Sequence, residues 1–543
     1  MSLYQAPKDD GLPRKLPTTL RRERVTVSVF GGGESLPEGQ NLSPRAYPAL
    51  ATRRHRGMLS TPVGSGTPHG MAVFGDELYF VRGTVLYRMD SEAVVAMGTV
   101  SDTDKQFFVF GERLYIYPDK LYVEAGGTAL APMELDTGVL DKSTFKGNTV
   151  TLPSGLSWTD LGFRAGDCLR VVNADNDEPA PEGYYRLLSL NGRVAVVQWT
   201  FPVTYESTAR FKRVVPDLKR VCVNGNRVYG IAGKDVYVSA AGSALDFYSR
   251  GSTDGSDPAI LRLDSDGELT ACVAWQGYVV FFKADRICKL LGTRSDSFSL
   301  QDRPAVGVTA RLADTLCEVG GDLYYLAESG VYRYHGQEPE RISVLGDQGV
   351  RGGYAGTDGD AYYLALKRPG DLWQQYCFVP ERGEWYAEDG MHPICMIRRG
   401  GFLCIQADDG YIWLASADGR DHACLYHECH VRGDIRATAV LPADYGFQPE
   451  GCRLVGISIR ATSKSVLATP TLEVFADFAD AAAGKDADGT AEVSLGLFSG
   501  KMTDRLLKIP VNPRTCDAVK LRLALKGDWV IHSVTREYER AGQ

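Results

Sequence analysis

The stretch GDELYFVRGTVLYR, residues 75–88, contains a turn glycine, an apolar and aromatic strand, a second tight turn and another strand with a tyrosine. Degenerate copies recur along most of the chain, and they begin at Gly75, Gly111, Gly225, Gly277, Gly321, Gly359 and Gly401. A recurring hairpin indicates a β-repeat, and periods of about 40–45 residues are typical of a β-propeller. The sequence therefore predicts an all-β fold built around a propeller.

The spacing of these glycines predicts the number of blades. Successive glycines lie 36, 114, 52, 44, 38 and 42 residues apart. Five of these gaps fit one blade each, whereas the gap of 114 residues fits one blade and an insertion. Seven hairpins predict six to eight blades, and we favour seven. The propeller is expected over residues 61–143 and 213–431.

Two further β-domains are predicted from changes in the pattern. Residues 144–212 alternate short strands with Gly-Asp and Asn-Gly turns, which indicates a small inserted barrel or sandwich. From residue 432 onward the strands become longer and alternate strictly, as in AVKLRLAL. Such alternation is typical of half-buried antiparallel strands, so residues 432–543 are expected to form a C-terminal β-sandwich.

The first 60 residues contain no copy of the repeat and are rich in Pro, Gly and Arg. One strand candidate, RVTVSVF at 24–30, leads into three glycines, and the prolines that follow exclude a long helix. We interpret 1–60 as an arm. Its basic groups favour solvated faces or partner contacts over phosphate binding. The candidate subunit-docking residues of this arm are Phe30, Gly31, Gly32, Asn41, Arg53, Arg54 and Arg56.

Composition limits the classes of function. The formal net charge of -8 argues against a protein whose main task is to grip nucleic acid, although DNA could pass such a surface without adhering. No apolar run approaches the roughly 20 residues that a membrane-spanning helix needs, so no membrane insertion is expected. The start of the chain has no apolar signal-peptide core, and we expect synthesis in a host cytoplasm.

One cluster has the residue types of a zinc site. It comprises His422, Cys424, His427, Cys429 and His430. A single strand would place His422 and Cys424 on one face but His427 and Cys429 on the other, which suits one metal ion poorly. We therefore favour a packed strand at the propeller–sandwich junction. Neither a metal nor another cofactor is expected.

Catalytic motifs are absent from the sequence. There is no Gly-x-Ser-x-Gly elbow and no repeated sialidase-type Asp box. A hydrolase would need converging carboxylates at the propeller axis, and sequence alone does not select such a pair among 68 acidic residues. We therefore do not expect an enzyme.

Three stretches resemble tail-tube and nozzle proteins of tailed phages, a family also described as packaged-DNA stabilisation proteins. They are VSVFGGGESLPEGQNLSPRAYPALATRRHRG at 27–57, LSWTDLGFRAGDCLRVV at 156–172 and DWVIHSVTREYERAG at 528–542. The resemblance implies a propeller with an inserted β-domain, and a ring, commonly of six copies, in the virion tail. The partners that it implies are the portal, the adaptor and other tail proteins. Genomic DNA would pass through the lumen without sequence-specific contact.

An alternative is a tail-tip protein that binds a receptor or a carbohydrate. Tryptophans in turns could stack on sugar rings, and the candidates are Trp373, Trp385 and Trp413. Trp385 and Trp413 follow strand-like text, so we expect these two in the core of the blades.

Overall fold

Strands make up most of the protein, as the sequence predicts, and the all-β fold is confirmed. The computed structural model describes residues 19–23, 39–90, 93–174, 180–346, 349–416, 435–443, 452–464, 469–479, 492–516 and 518–540. Within these ranges the helical segments are two short 3-10 turns, Pro44–Ala46 and Ala310–Thr315. None of the described helices is long and apolar enough to cross a membrane.

Seven four-stranded antiparallel sheets carry the repeat, and we number them sheet 1 to sheet 7 in chain order. Sheet 1 contains Pro68–Phe74, Glu77–Arg82, Val85–Met89 and Val94–Thr99. Sheet 2 contains Gln106–Phe110, Arg113–Tyr117, Leu121–Glu124 and Ala131–Pro132. Sheet 3 contains Arg220–Asn224, Arg227–Ala232, Asp235–Val238 and Ala259–Arg262. Sheet 4 contains Ala271–Trp275, Tyr278–Phe282, Arg286–Leu291 and Ser299–Pro304.

The remaining repeat sheets follow the same plan. Sheet 5 contains Cys317–Val319, Asp322–Ala327, Gly330–Tyr334 and Glu340–Ser343. Sheet 6 contains Gly352–Thr357, Tyr362–Arg368, Leu372–Val379 and Glu384–Ala387. Sheet 7 contains Pro393–Arg399, Phe402–Ala407 and Ile412–Ala415, and its fourth strand is Gly57–Ser60.

Every repeat glycine of the sequence lies in the turn between the first and second strands of one of these sheets. Gly75, Gly111 and Gly225 have φ angles of 62°, 58° and 59°. This left-handed conformation is costly for residues with a Cβ atom, which explains why the hairpins recur with glycine at this point.

The seven sheets form a propeller-like ring. The first strands of sheets 1, 2, 3 and 4 contact one another in turn, and so do those of sheets 5, 6, 7 and 1. Sheets 4 and 5 join through a shared apolar cluster that includes Phe282 and Leu323. Leu78 of sheet 1 and Cys404 of sheet 7 belong to another cluster, so the last sheet packs on the first. The first strands therefore surround a common axis.

The ring is closed by residues of the N-terminal segment. Gly57–Ser60 pairs with the third strand of sheet 7, where Trp413 lies opposite Met58. Residues 57–60 fall inside the predicted arm of 1–60, but they are the outer strand of a repeat sheet. The hairpin pattern did not reveal this strand because its pairing partners lie more than 350 residues away in the sequence.

A further four-stranded sheet lies between sheets 2 and 3, where the sequence predicts an insertion. Its strands are Leu135–Thr151, Cys168–Asn173, Gly183–Asn191 and Val194–Arg213. The predicted bounds were 144–212, whereas the first strand begins at Leu135, which pairs with Arg213. The sheet has a separate apolar core that includes Phe145 and Trp158.

Two sheets pack against each other at the C-terminal end. The four-stranded one contains, in spatial order, Arg436–Val440, Ala518–Lys526, Thr471–Ala479 and Val493–Ser499. The six-stranded one contains Thr19–Glu23, Leu42–Ser43, Leu50–Thr52, Asp528–Arg540, Cys452–Lys464 and Met502–Cys516. Three of these six strands come from the predicted arm, so both ends of the chain build the same sheet.

The sandwich and the ring share one core. A single apolar cluster joins Leu472 and Trp529 of the sandwich to Tyr363 of sheet 6 and Leu403 of sheet 7. Gln40 bridges the same two bodies through the backbone, since it pairs with both Thr438 and Ala387. The N-terminal segment thus ties the sandwich to the ring.

Candidate functional site

Two of the predicted groups lie outside the described residues. They are the possible metal cluster His422, Cys424, His427, Cys429 and His430, and the first part of the docking set, Phe30, Gly31 and Gly32. Elsewhere in the part of the chain that the structure describes, no three His, Cys, Asp or Glu side chains are grouped so as to hold a metal ion.

The other docking candidates lie where the N-terminal segment meets sheet 6 and the sandwich. The Asn41 side-chain amide donates to the carbonyl oxygen of Arg436 at 2.8 Å. Its carbonyl oxygen accepts a hydrogen bond from Arg53 Nε, also at 2.8 Å. Arg54 is half-buried and offers its own carbonyl oxygen to Arg53 at 3.0 Å. These contacts fix the segment against the body of the same chain.

Arg53 and Arg56 form a buried charge network with two acidic residues that follow sheet 6. Both donate to Asp389 Oδ2, at 2.8 and 2.7 Å, and Arg56 also pairs with Glu388. Their side chains are only 13% and 7% exposed. The network is intramolecular. A role of these residues in docking a second subunit stays a prediction.

The pKa values in this network reflect mutual stabilisation. Burial opposes ionisation of Asp389, but the charges of Arg56 and Arg53 outweigh it and hold the pKa of this carboxyl well below its usual range. Burial alone would lower the pKa of Arg56, yet Asp389 and Glu388 raise it. Burial and the neighbouring charge of Arg56 lower the pKa of Arg53. We call this group the junction network.

A second constellation lies at one end of the ring axis, where the first strands begin. Six residues from six sheets, or from the segments just before them, define this axial mouth: His69, Asp104, Arg220, Asp314, Tyr354 and Cys395. Since the first strands contact one another around the axis, their amino ends bring these side chains to one region.

An ion pair crosses the axial mouth. Arg220, at the start of sheet 3, donates from Nη2 to Asp314 Oδ2 at 3.0 Å, and Asp314 immediately precedes sheet 5. The pair therefore skips sheet 4. On another side of the mouth, the two ring nitrogens of His69 contact Asp102 at 2.7 Å and Asp104 at 3.0 Å.

Tyr354 lies within the electrostatic reach of both sides of the mouth. Burial, aided by the charges of Asp314 and Asp104, raises its pKa to about 12. Its ring stacks on Trp373 with a centroid separation of 6.0 Å, and Trp373 stacks on His392 at 4.2 Å. An aromatic stack therefore extends outward from the axis.

The mouth combines groups that suit a polar ligand. Asp104 and Asp314 are 81% and 41% exposed, so each can exchange its present partner for a ligand hydroxyl or amine. Trp373 is half-buried and belongs to this site, whereas Trp385 and Trp413 are buried in sheet cores, which confirms that part of the prediction.

Sequence reasoning missed the axial mouth, although a signal for it exists. Each of its six residues lies five to seven positions before a repeat glycine, which is the length of a first strand. The residue types differ from copy to copy, so no repeated motif marks the position.

Comparisons with known proteins give no family. No family model matches the chain, and no curated protein matches it in sequence. Among solved structures, PorZ of the type-IX secretion system of Porphyromonas gingivalis is 13% identical with a TM-score of 0.31. The match covers 70% of this chain and 42% of PorZ, so it spans less than half of that protein.

Two further structures are similar at the same level. AztD from Citrobacter koseri is 13% identical, with a TM-score of 0.29 and coverage of 62% of this chain and 93% of AztD. Hsv2 from Kluyveromyces lactis is 8% identical, with a TM-score of 0.27 and coverage of 60% and 97%. At these values the similarities carry no functional argument.

Proposed function

We propose that this chain is a structural virion protein of a tailed phage, a ring-forming nozzle or tail-tube component below the portal and adaptor that conducts and retains genomic DNA. We also infer that the seven sheets are the blades of a single seven-bladed propeller. The order of parts supports both: a propeller-like ring, a β-domain inserted between sheets 2 and 3, and a terminal sandwich. It is the order that the sequence resemblance implies.

The observation that carries the proposal is the way the chain ends are fastened. Strands from both ends lie in the same six-stranded sheet, and the N-terminal segment also supplies the outer strand of sheet 7. The junction network then fixes this segment to sheet 6 with buried charges. A subunit braced in this way suits a wall that must hold DNA, because no terminal strand can peel off without breaking a sheet.

The DNA path would lie between copies of the chain. The Arg220–Asp314 pair crosses the axis of each ring of sheets, whereas the major groove of duplex DNA alone is about 12 Å wide. A lumen therefore has to be enclosed by several subunits, six being the number that the resemblance implies. The net charge of -8 per chain would weaken phosphate binding along such a wall and let DNA slide.

This proposal assigns partners but no catalysis. The partners are further copies of the chain, the portal, the adaptor and other tail proteins, and the location is the virion tail after synthesis in the host cytoplasm. DNA would contact the lumen without sequence specificity. We propose no enzymatic activity and no membrane insertion.

Electron microscopy and mass photometry of the purified full chain test this function. We expect closed rings of about six copies, and particles of the same outline in the tails of intact virions. A protein that stays monomeric at micromolar concentration, with no ring of matching size in virions, would overturn the proposal.

The axial mouth favours a second candidate, a tail-tip protein that binds a carbohydrate receptor. Its stack of Tyr354, Trp373 and His392, with exposed carboxylates nearby, offers aromatic surface and hydrogen-bond acceptors to a sugar. Binding on a glycan array that is lost in Trp373→Ala but kept in Leu372→Ala, the exposed neighbour, would support it. An array without any signal above background would exclude it.

A further inference from the structure

A cleft of about 380 Å³ lies between sheets 4 and 5, on the outer part of the ring. Its lining includes Ile287, Lys289, Gln301, Arg303, Tyr334 and Glu338. The cleft is separate from the axial mouth and from the junction network, since it is formed by the third and fourth strands of sheet 4 and the third strand of sheet 5.

The strand register explains why two cations meet here. Ile287 pairs with Arg303 and Lys289 pairs with Gln301, so all four side chains share the face of sheet 4 that is turned towards sheet 5. The opposite face carries Arg286, whose Nε donates to Asp302 at 2.9 Å. The carboxylate of this hairpin thus serves the other face.

Lys289 is held in place by groups that leave its charge in effect. Its ammonium group donates to the carbonyl oxygen of Gly336 at 2.5 Å. It also lies 5.5 Å from the ring centroid of Tyr334 and 6.0 Å from that of Trp275. Gly336 has a φ of 100°, and a Cβ there would come within 3.2 Å of Trp275, so the loop can approach only with glycine. Two of the three ammonium hydrogens remain for another acceptor.

The positive charges of the cleft have no carboxylate partner within it. Among the residues that the structure describes, neither Lys289 nor Arg303 forms an ion pair, and Glu338 in the same lining pairs with neither. Burial, with the nearby charge of Arg303, lowers the pKa of Lys289. In a chain with a net charge of -8, two unneutralised cations at the wall of a cavity favour an anion.

We propose that the cleft between sheets 4 and 5 binds an oxyanion, the carboxylate or phosphate group of a small molecule. Lys289 and Arg303 bind its oxygens, Gln301 donates from its side-chain amide, and Tyr334 and Ile287 pack against the remainder of the ligand. This site goes beyond the proposed wall function and does not depend on it.

Titration calorimetry on the full chain at low ionic strength tests the site, with sodium phosphate and sodium glucuronate as separate probes. We expect saturable binding of at least one probe, and the probe that binds identifies the group as phosphate or carboxylate. Lys289→Met and Arg303→Gln should each weaken the affinity at least tenfold, because each removes a charged ligand.

Arg262→Gln is the matched control. Arg262 lies on the fourth strand of sheet 3, the position that Arg303 occupies in sheet 4, but it already pairs with Asp235 at 3.1 Å. Its substitution should leave the affinity unchanged. No saturable binding of either probe, or equal affinity in Arg303→Gln and the native protein, would overturn the proposal. Arg303 is exposed, so its variant keeps the test valid even if Lys289→Met does not fold.

Discussion

At the scale of single residues, the junction network shows how a buried charge can fix one conformation. Arg56 donates to both Glu388 and Asp389, and these contacts compensate for the water that the guanidinium group loses on burial. Such a network adds little stability compared with a well-packed apolar core. Removal of one partner is costly, however, because an unpaired charge then stays buried.

Replacement of Arg56 by methionine should therefore lower the free energy of unfolding by about 3–5 kcal/mol. The variant leaves the carboxylates of Glu388 and Asp389 without their main cation. Urea unfolding followed by tryptophan fluorescence measures the change. Lys219→Gln, which breaks the exposed pair with Glu268, is the control and should cost no more than about 1 kcal/mol. Equal losses in both variants would contradict the buried role of Arg56.

Acid should weaken the same network. The arginines hold the pKa of Asp389 below its usual range, whereas the unfolded chain titrates this carboxyl near about 3.9. The resulting stability is present above the unfolded pKa and is lost as the pH falls through the folded pKa. The difference in unfolding free energy between the native protein and Asp389→Asn should thus shrink from about pH 5 to about pH 3. A difference that stays constant over this range would rule out the ionised pair.

At the scale of elements, the ring is built from hairpins whose two turns differ in tolerance. The turn after the first strand lies in open space, since a Cβ added to Gly75 would meet nothing within 4 Å. The turn before the third strand can be crowded. At Gly330 of sheet 5, a Cβ would come within 2.2 Å of the carbonyl oxygen of Ser343. The first turn needs glycine for its φ angle alone, and the second needs it for space as well.

Alanine substitutions at these two glycines should differ in cost. Gly75→Ala, with a φ of 62°, should lower the unfolding free energy by about 1–2 kcal/mol, the strain of the left-handed region. Gly330→Ala should cost at least twice as much, because its backbone strain is joined by a clash with a neighbouring strand. Thermal unfolding of both variants measures the difference. A smaller loss at Gly330 would show that sheet 5 relaxes around the added methyl group.

At the scale of the whole molecule, the chain ends and the insertion have opposite roles. The first 60 residues supply strands to the sandwich and to sheet 7, so the order of the fold depends on them. The inserted sheet leaves and rejoins the ring at one place, since Leu135 pairs directly with Arg213. Its core is separate from those of the repeat sheets.

Two deletions should therefore have opposite outcomes. A chain that starts at residue 61 should be insoluble or aggregate, because its loss opens an edge of the strand Asp528–Arg540 and removes the closing strand of the ring. Replacement of 136–212 by two glycines should leave a soluble, cooperatively unfolding protein. Size-exclusion chromatography and circular dichroism compare the two. A soluble chain from residue 61 together with an insoluble insertion deletion would reverse this assignment.

Sequence periodicity was sufficient for the repeating parts of this protein. The glycines that begin each hairpin, the position of the insertion and the strict alternation of AVKLRLAL all concern residues that are neighbours along the chain. Local backbone preferences and side-chain alternation determine such features, so they can be recognised without knowledge of the fold.

Tertiary structure alone decided which distant segments meet. Met58 pairs opposite Trp413, Arg53 and Arg56 reach Asp389, and Arg220 reaches Asp314 only after the sheets have closed into a ring. The same holds for the face of sheet 4 on which Lys289 and Arg303 come together. The physical reason is that these contacts depend on how whole sheets pack, and residue types that vary from copy to copy leave no periodic trace of that packing in the sequence.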